Sequence, residues 1–262
     1  MRYSATAPVK IIVLGAGGTG GYVIPHLYRL AFARRGHVRI IICDGDIVER
    51  KNLVRQNFVE QDIGRNKAQV LAERYSRAFG IECEYRSSFV EDENELRQLV
   101  CPDFEKDSNK NIPETQRVIL LGCVDNNKSR QMCHNVFKDC PDMVYIDSGN
   151  DEFTGQVVCG VRQSNHTTYK SVCSLYPELL KDEDKFPSEL SCAERTISAP
   201  QSVTANLFAS MAMVAFLYDM LICGELKTRY VTFSSKHIGM RAELIKSRKK
   251  TKKGKVKKNG KT

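Results

Sequence analysis

The feature that most constrains this chain is the stretch Lys10 to Gly21, KIIVLGAGGTGG. A β-branched apolar run, Ile11 to Leu14, meets a glycine cluster, and Tyr22-Val23-Ile24 with Leu27 and Leu30 then follows the apolar spacing of a helix. This order predicts a strand, a tight turn and a helix. Gly15, Gly17 and Gly20 fit G-x-G-x-x-G, with Gly18 and Gly21 added. Glycine admits positive φ and lets backbone approach a phosphate closely, while the N–H groups at a helix start point at an anion. A second apolar run, Val38 to Cys43, ends in Asp44, whose carboxylate can accept hydrogen bonds from ribose hydroxyls. Together they predict a nucleotide site. The nucleotide stays open, because a dinucleotide-dependent dehydrogenase and an ATP-using enzyme share these parts. The bland alternative is glycines that only turn the chain.

With 262 residues the chain can bury the core of one large α/β domain. One domain is expected over residues 1–245, its nucleotide-binding part about 9–150 and a crossover loop with the C-terminal part about 151–245. No run approaches the ~18 apolar residues of a membrane span, and Met1 to Pro8 lacks an apolar signal core, so neither membrane insertion nor export is expected. Ten cysteines are scattered with no C-x-x-C pair, which predicts free thiols, mostly core residues, in a reducing, cytoplasmic setting. The formal charge of +9 is local: residues 246–262 hold ten Lys or Arg and no acid, leaving −1 on residues 1–245. That tail has no apolar face and reads as disordered, with nucleic acid, an acidic protein surface or plain solvent as its surroundings.

Beyond Asp44-Gly45-Asp46 the chain departs from simple strand–helix alternation and offers Asn52, Arg55 and Gln56. Lys67 opens a helix read as Ala68 to Phe79, where a lysine opposes the helix dipole unless an anion lies between them. A strand is expected over 81–89, a helix over 91–100 and an exposed insertion over 101–116. The apolar strand Val118 to Leu121 leads to Asp125-Asn126 and a helix from Asn127 to Lys138 carrying Arg130. Asp125 therefore stands at the carboxyl edge where open parallel sheets bind ligands. A strand from Met143 to Ile146 follows, and then the alternation stops. Thr154 to Gly160 and Tyr230 to Phe233 read as antiparallel strands, separated by a long polar loop, 165–200, and an apolar core helix, Val203 to Leu221. The expected fold is α/β: a Rossmann-like, mostly parallel sheet flanked by helices, with antiparallel C-terminal strands.

Hydride transfer needs little positive charge near its cofactor beyond the pyrophosphate, whereas adenylation must bind a triphosphate, neutralise the leaving pyrophosphate and orient an attacking carboxylate. Arg55, Lys67 and Asp125 supply that set, so adenylation fits better than an NAD-dependent oxidoreductase. At this point the motifs GAGGTG, Asp44-Gly45-Asp46, Asn52-Leu53-x-Arg55-Gln56, Gly64-x-x-Lys67 and Asp125-Asn126 with Arg130 resemble the ubiquitin-activating-enzyme superfamily in its short ThiF and MoeB form. Gly149-Asn150-Asp151, Leu175-Tyr176-Pro177 and Ser191-Cys192 are most similar to ThiF-family proteins of PRTRC systems.

The resemblance implies that Gly15, Gly17, Gly18 and Gly20 hold the phosphates of ATP, and that Asp44, with Asp46 beside it, takes the ribose. It implies that Asn52, Arg55, Gln56 and Lys67, with Asn126 and Arg130 nearby, line the triphosphate, and that Asp125 holds Mg2+. The implied substrate is the C-terminal glycine carboxylate of a ubiquitin-like or sulfur-carrier β-grasp protein. The implied product is an acyl-adenylate, with Cys192 in the long loop able to capture it as a thioester and Cys173 a second candidate. A homodimer, and a downstream acceptor or conjugating protein, follow from the same resemblance. Two departures matter. Position 170, three before Cys173, is Lys, and a C-terminal C-x-x-C pair is missing, so a four-thiolate structural zinc is not expected. Arg2 stands only 13 residues before Gly15, which leaves an arginine finger unsupported. A non-catalytic nucleotide-binding scaffold is the remaining alternative.

Overall fold

The structure is a computed structural model, and it describes residues 7–34, 37–103, 116–190 and 201–245. Strands are β1 (Val9–Leu14), β2 (Val38–Cys43), β3 (Glu84–Arg86), β4 (Arg117–Gly122), β5 (Met143–Asn150), β6 (Thr154–Gln163), β7 (His166–Tyr169), β8 (Thr228–Ser234) and β9 (Gly239–Leu244). Helices are α1 (Gly18–Ala33), α2 (Lys67–Phe79), α3 (Glu93–Leu99), α4 (Asn127–Asp139), the single turn α5 (Val172–Leu175) and α6 (Val203–Leu221).

Among the described residues these strands form one nine-stranded sheet in the order β3-β2-β1-β4-β5-β6-β8-β9, with β7 paired to β6. Strands β3 to β5 of that order run parallel, and β6, β7, β8 and β9 pair antiparallel. The chain lays β2 and β3 on one side of β1 and then crosses to place β4 on the other. The carboxyl ends of β1 and β4 therefore frame the crevice where the strand order reverses.

Alternation along the strands sorts the core into two layers. Ile11, Val13, Ile40, Ile42, Ile119, Leu121, Val144 and Ile146 face α1, α2 and α6. Ile12, Leu14, Ile41, Val118, Leu120 and Tyr145 face the α3–α4 side. A strand buried on both faces reads as a continuous apolar run, which is why β1, β2 and β4 were legible as such.

Several expectations needed revision. The strand expected over 81–89 is reduced to the exposed edge strand β3, and β5 runs on to Asn150. Strands β7 and β9 were missed; β9 is exposed at all six positions and so carries no burial pattern to read. The long loop holds β7, α5 and short 3-10 turns over Pro177–Lys181 and Pro187–Glu189. Its middle is strapped to α4: Gln131 Nε2 donates to the carbonyl of Leu179 at 2.7 Å, and Lys128 pairs with Glu189 at 2.7 Å. Helix α6, read from the sequence as a core helix, has the length and mean apolarity of a membrane span. Its inner face, including Ala209, Met213, Phe216 and Leu217, is nonetheless buried against the sheet and α1. The basic tail from 246 onward and positions 104–115 of the insertion lie outside the described residues.

Candidate nucleotide site

The turn after β1 is built by steric necessity. Gly15 has φ of +93°, and a Cβ there would collide with the carbonyl oxygen of Cys123 at the end of β4. A Cβ on Gly20 would collide with the carbonyl oxygen of Gly15. These two glycines fold the turn tightly against β4. Gly17 is the N-cap of α1 and has no side chain to occupy the first N–H groups, and no acidic residue stands in the first turn. The positive end of a 16-residue helix is thus left open to an anion.

Asp44 closes the floor. Its Oδ2 accepts the N–H of Ala16 at 2.6 Å and its Oδ1 accepts the N–H of Asp46 at 2.8 Å, which fixes the carboxylate between the two loops. Burial pushes its pKa up to about 6, against the opposing pull of Lys67. Each oxygen keeps a second lone pair, so the group can still accept from ribose hydroxyls. Lys67 Nζ pairs with Asp46 Oδ2 at 2.8 Å with the lysine side chain 7 % exposed. Asp46 is therefore the anion that offsets the unfavourable placement of a lysine at the start of α2. Asn66, unnoticed in the sequence, ties the two together: it caps α2 through Gln69 N–H at 3.0 Å and donates to the carbonyl of Asp44 at 2.8 Å.

The segment Arg55-Gln56-Asn57 forms the second wall. Pro25 lies inside α1 and has no N–H, so the carbonyl of Gly21 lacks its helical partner. Asn57 Nδ2 donates to that carbonyl at 2.9 Å and thereby docks the segment on α1. The neighbouring Gln56 is 6 % exposed, its amide lies within 4 Å of the space a Cβ on Gly17 would fill, and its Oε1 finds no hydrogen-bond partner among the described residues. Leaving a buried acceptor unpaired costs about 1–3 kcal/mol, which a ligand hydroxyl or amide at the turn would recover. The Arg55 guanidinium reaches Gln201 Oε1 at 3.0 Å.

Other expected contacts are used by the chain itself. Asn52 Oδ1 accepts the N–H of Glu49 at 2.8 Å and shapes the 3-10 turn Arg50–Val54. Asn126 caps α4 by accepting the N–H of Ser129 at 2.8 Å. Arg130, 8 % exposed, spends four of its five N–H donors inside the fold: on Asp147 Oδ1 at 3.2 Å, Asn127 Oδ1 at 2.9 Å and the carbonyls of Val124 and Ser148 at 2.7 and 3.1 Å. Asp147, 1 % exposed, also accepts from the Tyr145 hydroxyl at 2.7 Å. This buried knot fixes the loop that carries Asp125 at the end of β4. Asp125 itself is exposed beside the crevice.

A single exposed carboxylate suits Mg2+, which takes its remaining ligands from phosphate oxygens and water. Among the described residues no group of three or more His, Cys, Asp or Glu forms a metal cage. Cys192 lies outside the described residues. Cys173 does not qualify as a nucleophile: it is fully buried, and burial with Asp147 nearby pushes its thiol up to about 12. A concavity of about 340 Å3 on the outer face of α2 lies apart from this crevice. Four of its five charged residues pair, Arg65 with Glu73 and Arg74 with Asp62.

The glycine turn, the Asp44 carboxylate and the Arg55-Gln56-Asn57 segment meet at the carboxyl edge of the sheet. The ThiF family profile matches residues 4–255. The chain belongs to the ThiF family. A ThiF relative, the NEDD8-activating enzyme E1 catalytic subunit of Saccharomyces cerevisiae, is 44 % identical over 71 residues, which is 27 % of this chain and 22 % of that protein. The fold is shared with PaaA at a TM-score of 0.61 and 18 % identity, covering 92 % of this chain and 65 % of that one. It is shared with E. coli MccB, solved with AMPCPP and MccA, at a TM-score of 0.60 and 18 % identity, covering 92 % and 64 %. This ThiF chain thus spans about two thirds of those structures and about a fifth of the yeast protein.

Proposed function

We propose that the protein uses ATP to adenylate the C-terminal carboxylate of a protein or peptide, a ubiquitin-like or sulfur-carrier protein of β-grasp fold being the substrate class. The observation that carries this reading is the open N-terminus of α1 beside the buried Gln56, whose Oε1 has no partner among the described residues, and above the Asp44 carboxylate. The similarity to MccB, solved with ATP and with MccA, points the same way.

The α1 N–H groups receive phosphate oxygens and Asp44 receives the ribose. Arg55 and Lys67 offset the charge of the triphosphate, and Asp125 would hold Mg2+, which supplies further neutralisation of the leaving pyrophosphate. A carboxylate oxygen of the substrate attacks the α-phosphorus, the bond from that phosphorus to the α,β-bridging oxygen breaks, and pyrophosphate leaves with the electron pair. No proton moves, because the carboxylate is already ionised at neutral pH; positioning and charge neutralisation carry the rate. The same reading gives Cys192 a thioester role and makes the protein a homodimer. The outward apolar stripe of α6, with Leu207, Met211 and Tyr218 43 %, 54 % and 49 % exposed, supports the dimer.

The test is isotope exchange between pyrophosphate and ATP with candidate carriers ending in a free glycine. Exchange should depend on the carrier and fall at least ~100-fold in Asp125→Asn with the melting temperature unchanged. Carrier-independent ATP turnover, or an undiminished rate in Asp125→Asn, sinks the proposal. Intact mass of Cys192→Ser beside the natural protein reads the thioester, and light scattering reads the dimer.

A further inference from the structure

We infer that Asn206, on the first turns of α6, is a positioning residue for the nucleotide turn, and that glycine is required at position 18 because the Asn206 amide occupies the space of its side chain. This rests on the nucleotide reading above and adds a residue to it.

Helix α6 is apolar along its buried face, where Asn206 and Ser210 are the polar exceptions. Ser210 returns its hydroxyl to its own helix, donating to the carbonyl of Leu207 at 2.9 Å. Asn206 instead turns its amide to other parts of the chain. It is fully buried, its Oδ1 accepts from Asn150 Nδ2 at 3.2 Å, and its Nδ2 donates to the carbonyl of Arg55 at 3.5 Å. A buried amide is costly unless its polar atoms are used, and here they join the end of β5, the Arg55 segment and α6. Gln201, just before α6, holds the Arg55 guanidinium, so this part of the chain grips Arg55 by both side chain and backbone.

The same amide fills the place a side chain on Gly18 would take. A Cβ on Gly18 would lie 2.5 Å from Asn206 Nδ2 and 2.7 Å from both Cγ and Oδ1. All three atoms lie beyond the Asn206 Cβ, so alanine at 206 removes them. Gly18 is thus unlike Gly15 and Gly20, whose obstacle is backbone that no substitution can clear. A glycine in a phosphate-binding motif is ordinarily explained by the close approach of ligand; at this position the fold supplies a different reason.

The test is a double-mutant cycle on the full chain: Gly18→Ala, Asn206→Ala and both together, read by thermal melting without nucleotide and by calorimetric titration with ATP and magnesium. Gly18→Ala should lower the melting temperature by roughly 5–10 °C and weaken ATP binding at least about tenfold. The double variant should melt within about 2 °C of Asn206→Ala and bind ATP within about threefold of it, a strongly non-additive result. If Gly18→Ala does not fold, recovery of a folded double variant gives the same support, and a double variant that also fails to fold overturns the inference. Additive losses overturn it too. Rescue of melting without rescue of ATP binding returns Gly18 to the phosphate and likewise overturns it. Should the natural chain bind no ATP, the adenylation reading falls while the melts still decide the contact between positions 18 and 206.

Discussion

Replacing Asp147 by alanine tests how the fold holds the end of β4. Arg130 is 8 % exposed and Asp147 1 % exposed, so the substitution leaves a guanidinium with little water and without its bonded carboxylate, Asp125 being the remaining acid whose charge acts on it. Breaking a buried pair from one side costs about 3–5 kcal/mol. The three remaining hydrogen bonds of Arg130, to Asn127 and the carbonyls of Val124 and Ser148, persist and favour the lower half of that range. For a domain of this size each kcal/mol is worth about 2–4 °C, so the melting temperature should fall by about 6–16 °C. Calorimetry at neutral pH reads the shift. Asp147→Asn, which keeps the shape and the Tyr145 contact, should fall less, and Asp147→Ala with Arg130→Met should melt above Asp147→Ala because no lone charge is left buried. A drop under about 2 °C for Asp147→Ala, or a further drop in the double variant, would refute the view that Asp147 chiefly compensates Arg130.

Two further outcomes follow from the turn. Gly20→Ala drives a Cβ into the Gly15 carbonyl and should cost about 3 kcal/mol or more, whereas Gly21→Ala, whose nearest obstacle is 3.4 Å away, should be near neutral; equal melts for the two would remove the steric account. Asp44 has its folded pKa raised from 3.8 to about 6 by burial, so its contribution to stability is full below the unfolded value and is lost as pH rises through about 6. The natural protein should therefore lose stability relative to Asp44→Asn between about pH 4 and 6, and ATP affinity should weaken as pH falls below about 6; a pH-independent gap between the two proteins would contradict the buried carboxylate.

Elements proved more legible in the sequence than tasks. Strands β1, β2 and β4 announce themselves because both faces are buried, and α2 because it carries an apolar stripe; the caps at Asn66 and Asn126 became visible only in the structure. The turn glycines and Asp44 were found by local spacing, since the chain that builds that corner is short. What spacing cannot carry is the identity of a partner brought in from far along the chain. Arg130 looks like a ligand contact until Asp147 is seen beneath it, and Asn206 looks like an incidental polar residue in an apolar helix until Gly18 is seen against it. Asn57 did leave a trace: a proline inside a helix means an orphaned carbonyl, and some donor must meet it. The exposed edge strand β9 left none, because its residues face solvent on both sides.

The grip of α6 on the first glycine corner also fixes an order of events during synthesis. A ribosome finishes residue 18 long before it reaches Asn206, and at about 5–20 residues per second the gap lasts roughly ten to forty seconds. Through that interval the nascent corner has neither the amide that wedges it nor the helix that covers α1, and its apolar flank stays open to whatever attends the growing polypeptide.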